Sequence, residues 1–211
     1  MIIHEHGNKD ASIMLIQPVD EHDMEDLEVE VKEIEKMTAM DFCLTAVKIA
    51  AWNKELSPWP SPAVFGHEDF GCGAEATLHE ILALCRDTQK KYFLGGYSLA
   101  ALFSLWAAYE TPVFSGIAAA SPSIWFPGFI EYMTEHKCRS GNVYLSLGDK
   151  EEKTKNPVMA KVGEAIREGH EILVSSGINC TLEWNQGNHF KDSALRTAKA
   201  FAWVMKNSRI K

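Results

Sequence analysis

One serine lies where a short apolar strand is followed at once by an apolar helix. Ser98 stands in the segment Gly95-Gly96-Tyr97-Ser98-Leu99-Ala100, with Tyr92–Leu94 before it and Leu99–Tyr109 after it. A glycine two residues before the serine and a small residue two after it permit the sharp turn of a nucleophile elbow, which exposes the hydroxyl. Such a hydroxyl attacks a carbonyl carbon once an adjacent base removes its proton. The segment therefore predicts a serine nucleophile.

Ala100 is the departure from this pattern, because a second glycine is usual at its position. Alanine adds one methyl group, which close packing of helix on strand can tolerate. We therefore interpret the segment as a variant elbow. The alternative is that Ser98 is an ordinary turn residue.

A candidate base and three candidate acids follow Ser98 along the chain. His189 comes after the last expected strand, and Asp149, Glu151 and Glu152 follow the strand before it. A carboxylate that orients an imidazole and stabilises its cation makes the imidazole an effective base for a serine. The alternatives are an ordinary loop histidine and, beside neighbouring lysines, a solvated acidic turn.

The elements that must position these residues alternate along the chain, which is typical of an α/β protein with a mostly parallel sheet. The apolar runs predict strands at Ser12–Ile16, Asp41–Ile49, Tyr92–Leu94, Ser115–Ala120, Val143–Leu147 and Asn179–Trp184. Helices are expected at Ala74–Arg86, Leu99–Tyr109, from Asn156 to about Ser175, and through about Met205. Residues 17–20 are interpreted as a loop, and the acidic stretch Glu21–Lys36 is compatible with helix or strand.

Composition limits the class of protein. A chain of 211 residues that is 46% hydrophobic suits a single domain over residues 1–211. Its formal charge of −8 disfavours nucleic acid and anionic membranes as partners. The N-terminal residues lack the features of a signal peptide, no apolar run approaches a membrane span, and five widely spaced cysteines suit reduced thiols. We expect a cytoplasmic protein.

Metal and cofactor motifs are incomplete. His79-Glu80 begins like the helical zinc motif H-E-x-x-H, but Ala83 replaces the second histidine. The glycines of Phe70–Gly73 lack the lysine and serine of a phosphate-binding loop. We therefore expect no metal and no cofactor.

Four segments together carry a family resemblance: Gly96–Ala100, Ala120–Trp125, Gly148–Glu151 and Gly187–Phe190. They resemble the esterase branch of the α/β-hydrolase superfamily, which includes esterase D and siderophore-ester hydrolases. The likeness extends from about Ser12 to Met205. It implies a three-layer sandwich around a mostly parallel sheet, trimmed at the N-terminus and without a large cap domain.

The resemblance also implies an activity and its residues. The chain is expected to cleave a small-molecule carboxylic ester, or a thioester, through an acyl-enzyme on Ser98 with His189 as general base. Glu151 matches the family spacing of a carboxylate three residues after a glycine, with Asp149 and Glu152 as alternatives; some members manage with a Ser-His pair. Acyl transfer or peptide cleavage by the same residues, and a non-catalytic binding or scaffold protein that retains the fold, are the rival hypotheses.

An oxyanion hole needs two preorganised N–H donors. The expected donors are Leu99, directly after the nucleophile, and either Gln17 or Val19, because Pro18 between them has no N–H. The His-Gly signature common after this early strand is absent.

Aromatic residues are the candidate substrate contacts. We predict substrate-binding positions at Trp125, Trp52 and Tyr97, although such residues more often belong to a core or its rim.

Overall fold

The computed structural model describes residues 2–208, which form seven strands around which helices pack. The strands are β1 (Ile2–Gly7), β2 (Ile13–Val19), β3 (Cys43–Lys48), β4 (Lys91–Tyr97), β5 (Phe114–Ala120), β6 (Asn142–Gly148) and β7 (Asn179–Asn185). The helices are α1 (Glu21–Met37), α2 (Trp52–Glu55), α3 (Ala74–Leu82), α4 (Ser98–Glu110), α5 (Phe129–Glu135), α6 (Val162–Ser175) and α7 (Ser193–Asn207). Short 3₁₀ helices lie at Glu151–Lys153 and Met159–Lys161.

The seven strands form one sheet in the order β1-β3-β2-β4-β5-β6-β7. All neighbouring pairs are parallel except β1 and β3. Parallel strands place their carboxyl ends, and the loops that follow them, along the same edge of the sheet. The loops after β4, β6 and β7 therefore converge, and these loops carry Ser98, Glu151 and His189.

Helices cover both faces of the sheet, which explains why its central strands are almost continuously apolar. On one face, α1 and α7 enclose a core that includes Leu27, Ile34 and Phe201. On the other, α3, α4, α5 and α6 enclose a larger core around Phe103 and Ile166. This three-layer arrangement is the predicted fold class, and the connections within residues 2–208 contain no insertion that forms a large cap domain.

The acidic stretch Glu21–Lys36, whose sequence is compatible with helix or strand, lies in helix α1. Asp20 caps it, because its side chain accepts the Asp23 amide while the Asp23 side chain accepts the Asp20 amide. Leu27, Val31 and Ile34 repeat at helical spacing and are buried.

Several predicted boundaries are wrong, and three of them illustrate why. The supposed loop at Gln17–Val19 continues β2, because these residues pair in register with Ala46–Lys48 of β3. The helix α3 ends at Leu82 rather than Arg86. The helix expected from Asn156 begins at Val162; the Asn156 side chain accepts the amides of Val158 and Met159 in a turn before it.

No helix within residues 2–208 combines the length and the apolar character needed to cross a bilayer.

Glu30 of α1 is a buried carboxyl group beside the sheet. Its Oε2 accepts a hydrogen bond from Gln17 at 3.2 Å, while its Oε1 has no partner among residues 2–208. Burial raises the pKa of Glu30 to about 8. The Gln17 hydrogen bond lowers this pKa, and the Asp23 and Asp26 charges raise it. The pKa of Glu30 in the folded protein lies above its ordinary value of 4.5, so between pH 4.5 and about 8 the unfolded chain loses this proton more readily than the folded protein does. The stability of the fold therefore falls as the pH rises through this range.

We therefore expect the protein to lose stability as the pH rises from 6 to 8, by about 2 kcal/mol from this group. Glu30→Gln should remove most of that loss, because an amide stays neutral and can still pair with Gln17. The measurement is urea unfolding at both pH values, with exposed Glu28→Gln as the control. Equal pH dependence in Glu30→Gln and the native protein would contradict the assignment.

Candidate active site

The turn between β4 and α4 holds Ser98 in an unusual backbone conformation. Ser98 has φ +56°, in the left-handed region that residues with a side chain seldom adopt. A Cβ atom on Gly96 would lie 2.8 Å from the Cβ of Ala100, so glycine at 96 is what makes alanine at 100 tolerable. The elbow therefore closes with one glycine instead of two, and the strained turn directs the Ser98 hydroxyl out of the sheet edge.

Ser98, His189 and Glu151 form a continuous hydrogen-bonded chain. The Nε2 atom of His189 lies 3.0 Å from the Ser98 Oγ, and its Nδ1 atom lies 2.7 Å from the Glu151 Oε2. An ionised carboxylate only accepts hydrogen bonds, so Nδ1 carries the proton and donates it to Glu151. The Nε2 atom is then free to accept the Ser98 proton, which is the arrangement a general base requires.

The carboxylate of Glu151 is buried but well supplied with donors. Its side chain is 4% exposed. Its Oε1 accepts hydrogen bonds from the Gly148 amide at 2.7 Å and the Ser121 hydroxyl at 2.8 Å. Burial would raise the pKa of Glu151, but the interactions with His189, Gly148 and Ser121 outweigh it and lower the pKa below its ordinary value. The carboxylate therefore stays ionised at neutral pH.

The two alternative acids lie elsewhere. The Oδ1 of Asp149 accepts the Gly187 amide at 2.8 Å and so ties the loop after β6 to the loop that carries His189. Glu152 pairs with the exposed Arg167 on α6. Of the three predicted candidates, only Glu151 reaches the imidazole.

Arg196 is the main residue at this site that sequence reasoning missed. It lies in the first turn of α7, its side chain is 1% exposed, and its Nη1 lies 3.0 Å from the Glu151 Oε1. The same guanidinium donates to the Tyr97 and Ser121 hydroxyls and to the carbonyls of Gln186 and Asn188. The available signal was a charged residue on the otherwise apolar face of the last helix, in line with Ala200 and Val204.

Ser123 contacts the serine itself. Its Oγ lies 3.3 Å from the Ser98 Oγ, and its amide donates to the Ser98 carbonyl. Because Ser98 gives its single proton to His189, Ser123 must be the donor in the bond between the two hydroxyls. Ser123 thus fixes the orientation of the Ser98 oxygen.

The predicted oxyanion donors have different outcomes. Leu99 lies at the N-terminal end of α4, where backbone N–H groups have no partner within the helix. The Val19 carbonyl accepts the Ile49 amide, so this residue faces β3. Because N–H and C=O of a strand residue point to the same side, the amides of Val19 and Gln17 also face β3 and not the Ser98 side. The prediction for these two residues is wrong, since they belong to the paired strand β2 and not to a free loop.

A cavity of about 440 Å³ opens beside His189. Its walls are mostly apolar, and Lys150, Lys153 and Asn188 add polar groups; the apolar lining consists of Pro122, Trp125, Met159, Val162 and Phe190. Phe190 is 90% exposed at the mouth and meets the His189 ring edge-on. A second cavity of about 690 Å³ shares Trp125 but lies between α5 and α6, away from Ser98.

Of the three predicted substrate contacts, only Trp125 lines the cavity beside His189. Tyr97 is buried, and its hydroxyl donates to the His189 carbonyl at 2.8 Å, so it supports the histidine loop. Burial and the Glu151 charge raise the pKa of Tyr97 to about 12, which keeps this donor protonated. Trp52 begins α2 and packs against the larger core, and it is not among the residues that line the cavity beside His189.

Within residues 2–208, no group of three or more histidine, cysteine or acidic side chains is arranged to hold a metal ion.

Comparison with solved structures identifies the class of fold. An IroE-like serine hydrolase from Shewanella oneidensis superposes with a TM-score of 0.75 at 13% identity, over 99% of this chain and 77% of that chain. The siderophore hydrolase EstA from Aspergillus nidulans superposes with a TM-score of 0.64 at 16% identity, over 96% of this chain and 86% of that chain. The Bacillus cereus carboxylesterase superposes with a TM-score of 0.61 at 13% identity, over 97% of this chain and 93% of that chain. The chain therefore has the α/β-hydrolase fold.

Sequence comparison adds nothing further, since no family model matches the chain and no curated protein matches it.

Gly148 offers a test of how tightly the site is packed. A Cβ atom there would lie 2.4 Å from the Gly187 carbonyl oxygen and 2.9 Å from the Glu151 Oε1. We expect Gly148→Ala to cost roughly 2–3 kcal/mol of unfolding free energy, because the loops after β6 and β7 must separate. Gly141→Ala is the matched control, since a Cβ there meets nothing within 4 Å. Denaturant unfolding that shows equal stability of the two variants would refute the packing argument.

Proposed function

We propose that this chain is a serine hydrolase that cleaves a carboxylic ester through an acyl-enzyme on Ser98. The observation that carries the proposal is the continuous chain from the Ser98 hydroxyl through His189 to the ionised Glu151. The α/β-hydrolase fold supports it, because this fold places serine, acid and histidine after strands of the sheet, in the chain order found here.

The proposed first half-reaction forms the acyl-enzyme. The Nε2 atom of His189 removes the Ser98 proton as the Ser98 Oγ attacks the carbonyl carbon of the ester, and the carbonyl π electrons move to the oxygen. The Leu99 N–H stabilises the resulting oxyanion, and Glu151 stabilises the imidazolium. When the tetrahedral intermediate collapses, the C–O bond to the alcohol breaks, and His189 returns its proton to the leaving alkoxide.

The second half-reaction repeats the proton transfers with water. His189 removes a proton from a water molecule that attacks the acyl carbon, and then protonates the Ser98 oxygen as the acid product leaves. A thioester would follow the same steps with a thiol as the leaving group. Both substrate types need only the groups already present, without a metal or cofactor.

The cavity supports a small-molecule substrate. Its volume of about 440 Å³ and its apolar wall around Trp125 and Phe190 suit an ester with a compact apolar part. We propose the cytoplasm as the location, because all five cysteines are free thiols, as in a reducing compartment.

A non-catalytic role is the second candidate, and a specific observation favours it. Pro18 occupies the β2 position that faces the Ser98 side of the strand, and proline has no N–H to donate. An oxyanion hole that lacks this second donor would slow hydrolysis, since one such donor contributes about 10²–10³ in rate. Activity measurements therefore decide between an esterase and a binding protein that retains the fold.

The nucleophile is tested with a fluorophosphonate probe and short p-nitrophenyl esters. We expect the probe to label Ser98, and Ser98→Ala or His189→Ala to lower kcat by about 10⁴–10⁶. Peptide mapping of the adduct by mass spectrometry identifies the modified residue. Folded native protein that neither reacts with the probe nor hydrolyses any ester would support the binding protein instead.

The acid is tested by three isosteric substitutions. Glu151→Gln should lower kcat by about 10²–10⁴, because it removes the charge that stabilises the imidazolium. Asp149→Asn keeps the oxygen that accepts the Gly187 amide, and Glu152→Gln loses only an exposed ion pair, so both should stay within about threefold of the native rate. If kcat falls further in Asp149→Asn or in Glu152→Gln than in Glu151→Gln, that other residue is the acid.

A further inference from the structure

The guanidinium of Arg196 is the centre of a buried network behind the proposed catalytic residues. It makes hydrogen bonds to five groups on four segments: Tyr97 at the end of β4, Ser121 after β5, Glu151 after β6, and the Gln186 and Asn188 carbonyls after β7. Asn188 directly precedes His189. One side chain therefore connects the loops that carry all three proposed catalytic groups.

The arrangement gives the two oxygens of Glu151 separate tasks. The Oε2 atom faces His189 at 2.7 Å, whereas Oε1 faces Arg196 at 3.0 Å. A carboxylate held by donors on Oε1 cannot rotate without breaking those bonds. The orientation of Oε2 toward the imidazole is thus fixed from behind.

The charge of Arg196 also has a consequence for the histidine. A carboxylate paired with a guanidinium attracts a proton on the imidazole less strongly than an unpaired carboxylate does. His189 must be neutral at Nε2 to accept the Ser98 proton. The guanidinium therefore weakens the attraction of Glu151 for a proton on the imidazole.

On the basis of the proposed hydrolase function, we propose that Arg196 is a positioning residue that orients the Glu151 carboxylate and balances its charge, so that His189 is held as the base for Ser98. Arg196 acts through Glu151 and touches neither Ser98 nor the cavity.

Other charged or titratable groups near His189 and Glu151 include Tyr97 from β4, Lys150, Lys153 and Asp149 from the loop after β6, and Lys191 from the loop after β7. These groups are the same in every variant below. A change in pH profile between variants therefore reports on Arg196.

The test compares Arg196→Lys, which keeps a positive charge, with Arg196→Gln, which does not. Rates of p-nitrophenyl ester hydrolysis are measured from pH 5 to 9. We expect Arg196→Gln to lower kcat about 10²-fold with KM within about threefold, and to move the acid limb of the profile to higher pH. Arg196→Lys should keep the limb near its native position. Arg167→Gln, at the exposed pair with Glu152, is the control and should leave rate and profile unchanged.

A double-variant cycle addresses folding, because Arg196→Gln leaves Glu151 buried without its cationic partner. The Arg196→Gln/Glu151→Gln variant removes both charges of the pair. If Arg196 acts through Glu151, adding Arg196→Gln to Glu151→Gln should change kcat by less than about threefold. An equal loss in both backgrounds, or the same pH profile in Arg196→Gln and the native protein, would overturn the inference.

A measurement without turnover separates this inference from the proposed function. In protein with ¹⁵N-labelled histidine, the Nδ1–H resonance of His189 reports its hydrogen bond to Glu151. We expect the resonance to persist in Arg196→Lys and to be lost to exchange in Arg196→Gln. If the resonance is lost in Arg196→Gln and the native protein has no esterase activity, the hydrolase proposal is refuted and the positioning role is supported. If the native protein is an active esterase and the resonance is unchanged in Arg196→Gln, the hydrolase proposal stands and the positioning role is refuted.

Discussion

The ionised carboxylate of Glu151, buried and hydrogen-bonded on both oxygens, is the constraint on which the rest of the site depends. Desolvation alone would favour the neutral acid, so the fold must supply donors around it. The Gly148 amide, the Ser121 hydroxyl and the Arg196 guanidinium meet at one oxygen, which leaves the other for His189. Each donor comes from a different part of the chain, so the carboxylate holds the sheet edge together while it orients the imidazole.

Small residues make this convergence possible. Gly148 allows the Gly187 carbonyl and the Glu151 carboxylate to approach within a distance that any side chain would block. Gly96 allows Ala100 to pack against the elbow, so the nucleophile turn closes although its usual second glycine is missing. The departure from the pattern is therefore accommodated by packing, and it does not weaken the case for a serine nucleophile.

The oxyanion side of the site is less complete. The β2 amides that looked free in the sequence are turned toward β3, and Pro18 supplies no donor on the other side. Ser123, by contrast, adds a hydroxyl contact to the Ser98 oxygen that no spacing rule indicated. The site thus combines a hydrogen-bonded proposed base and acid with few donors for the proposed oxyanion.

The sequence alone determined the alternation of strands and helices, the elbow at Ser98 and the order of serine, acid and histidine, because local periodicity and glycine placement encode them. It could not decide among Asp149, Glu151 and Glu152, because residues so close together differ only in the direction their side chains take. It also gave no role to Arg196, whose partners are distant in sequence and meet only when the strands align. Tertiary structure decided these points, since the direction of a side chain and the burial of a charge depend on the neighbours that folding provides.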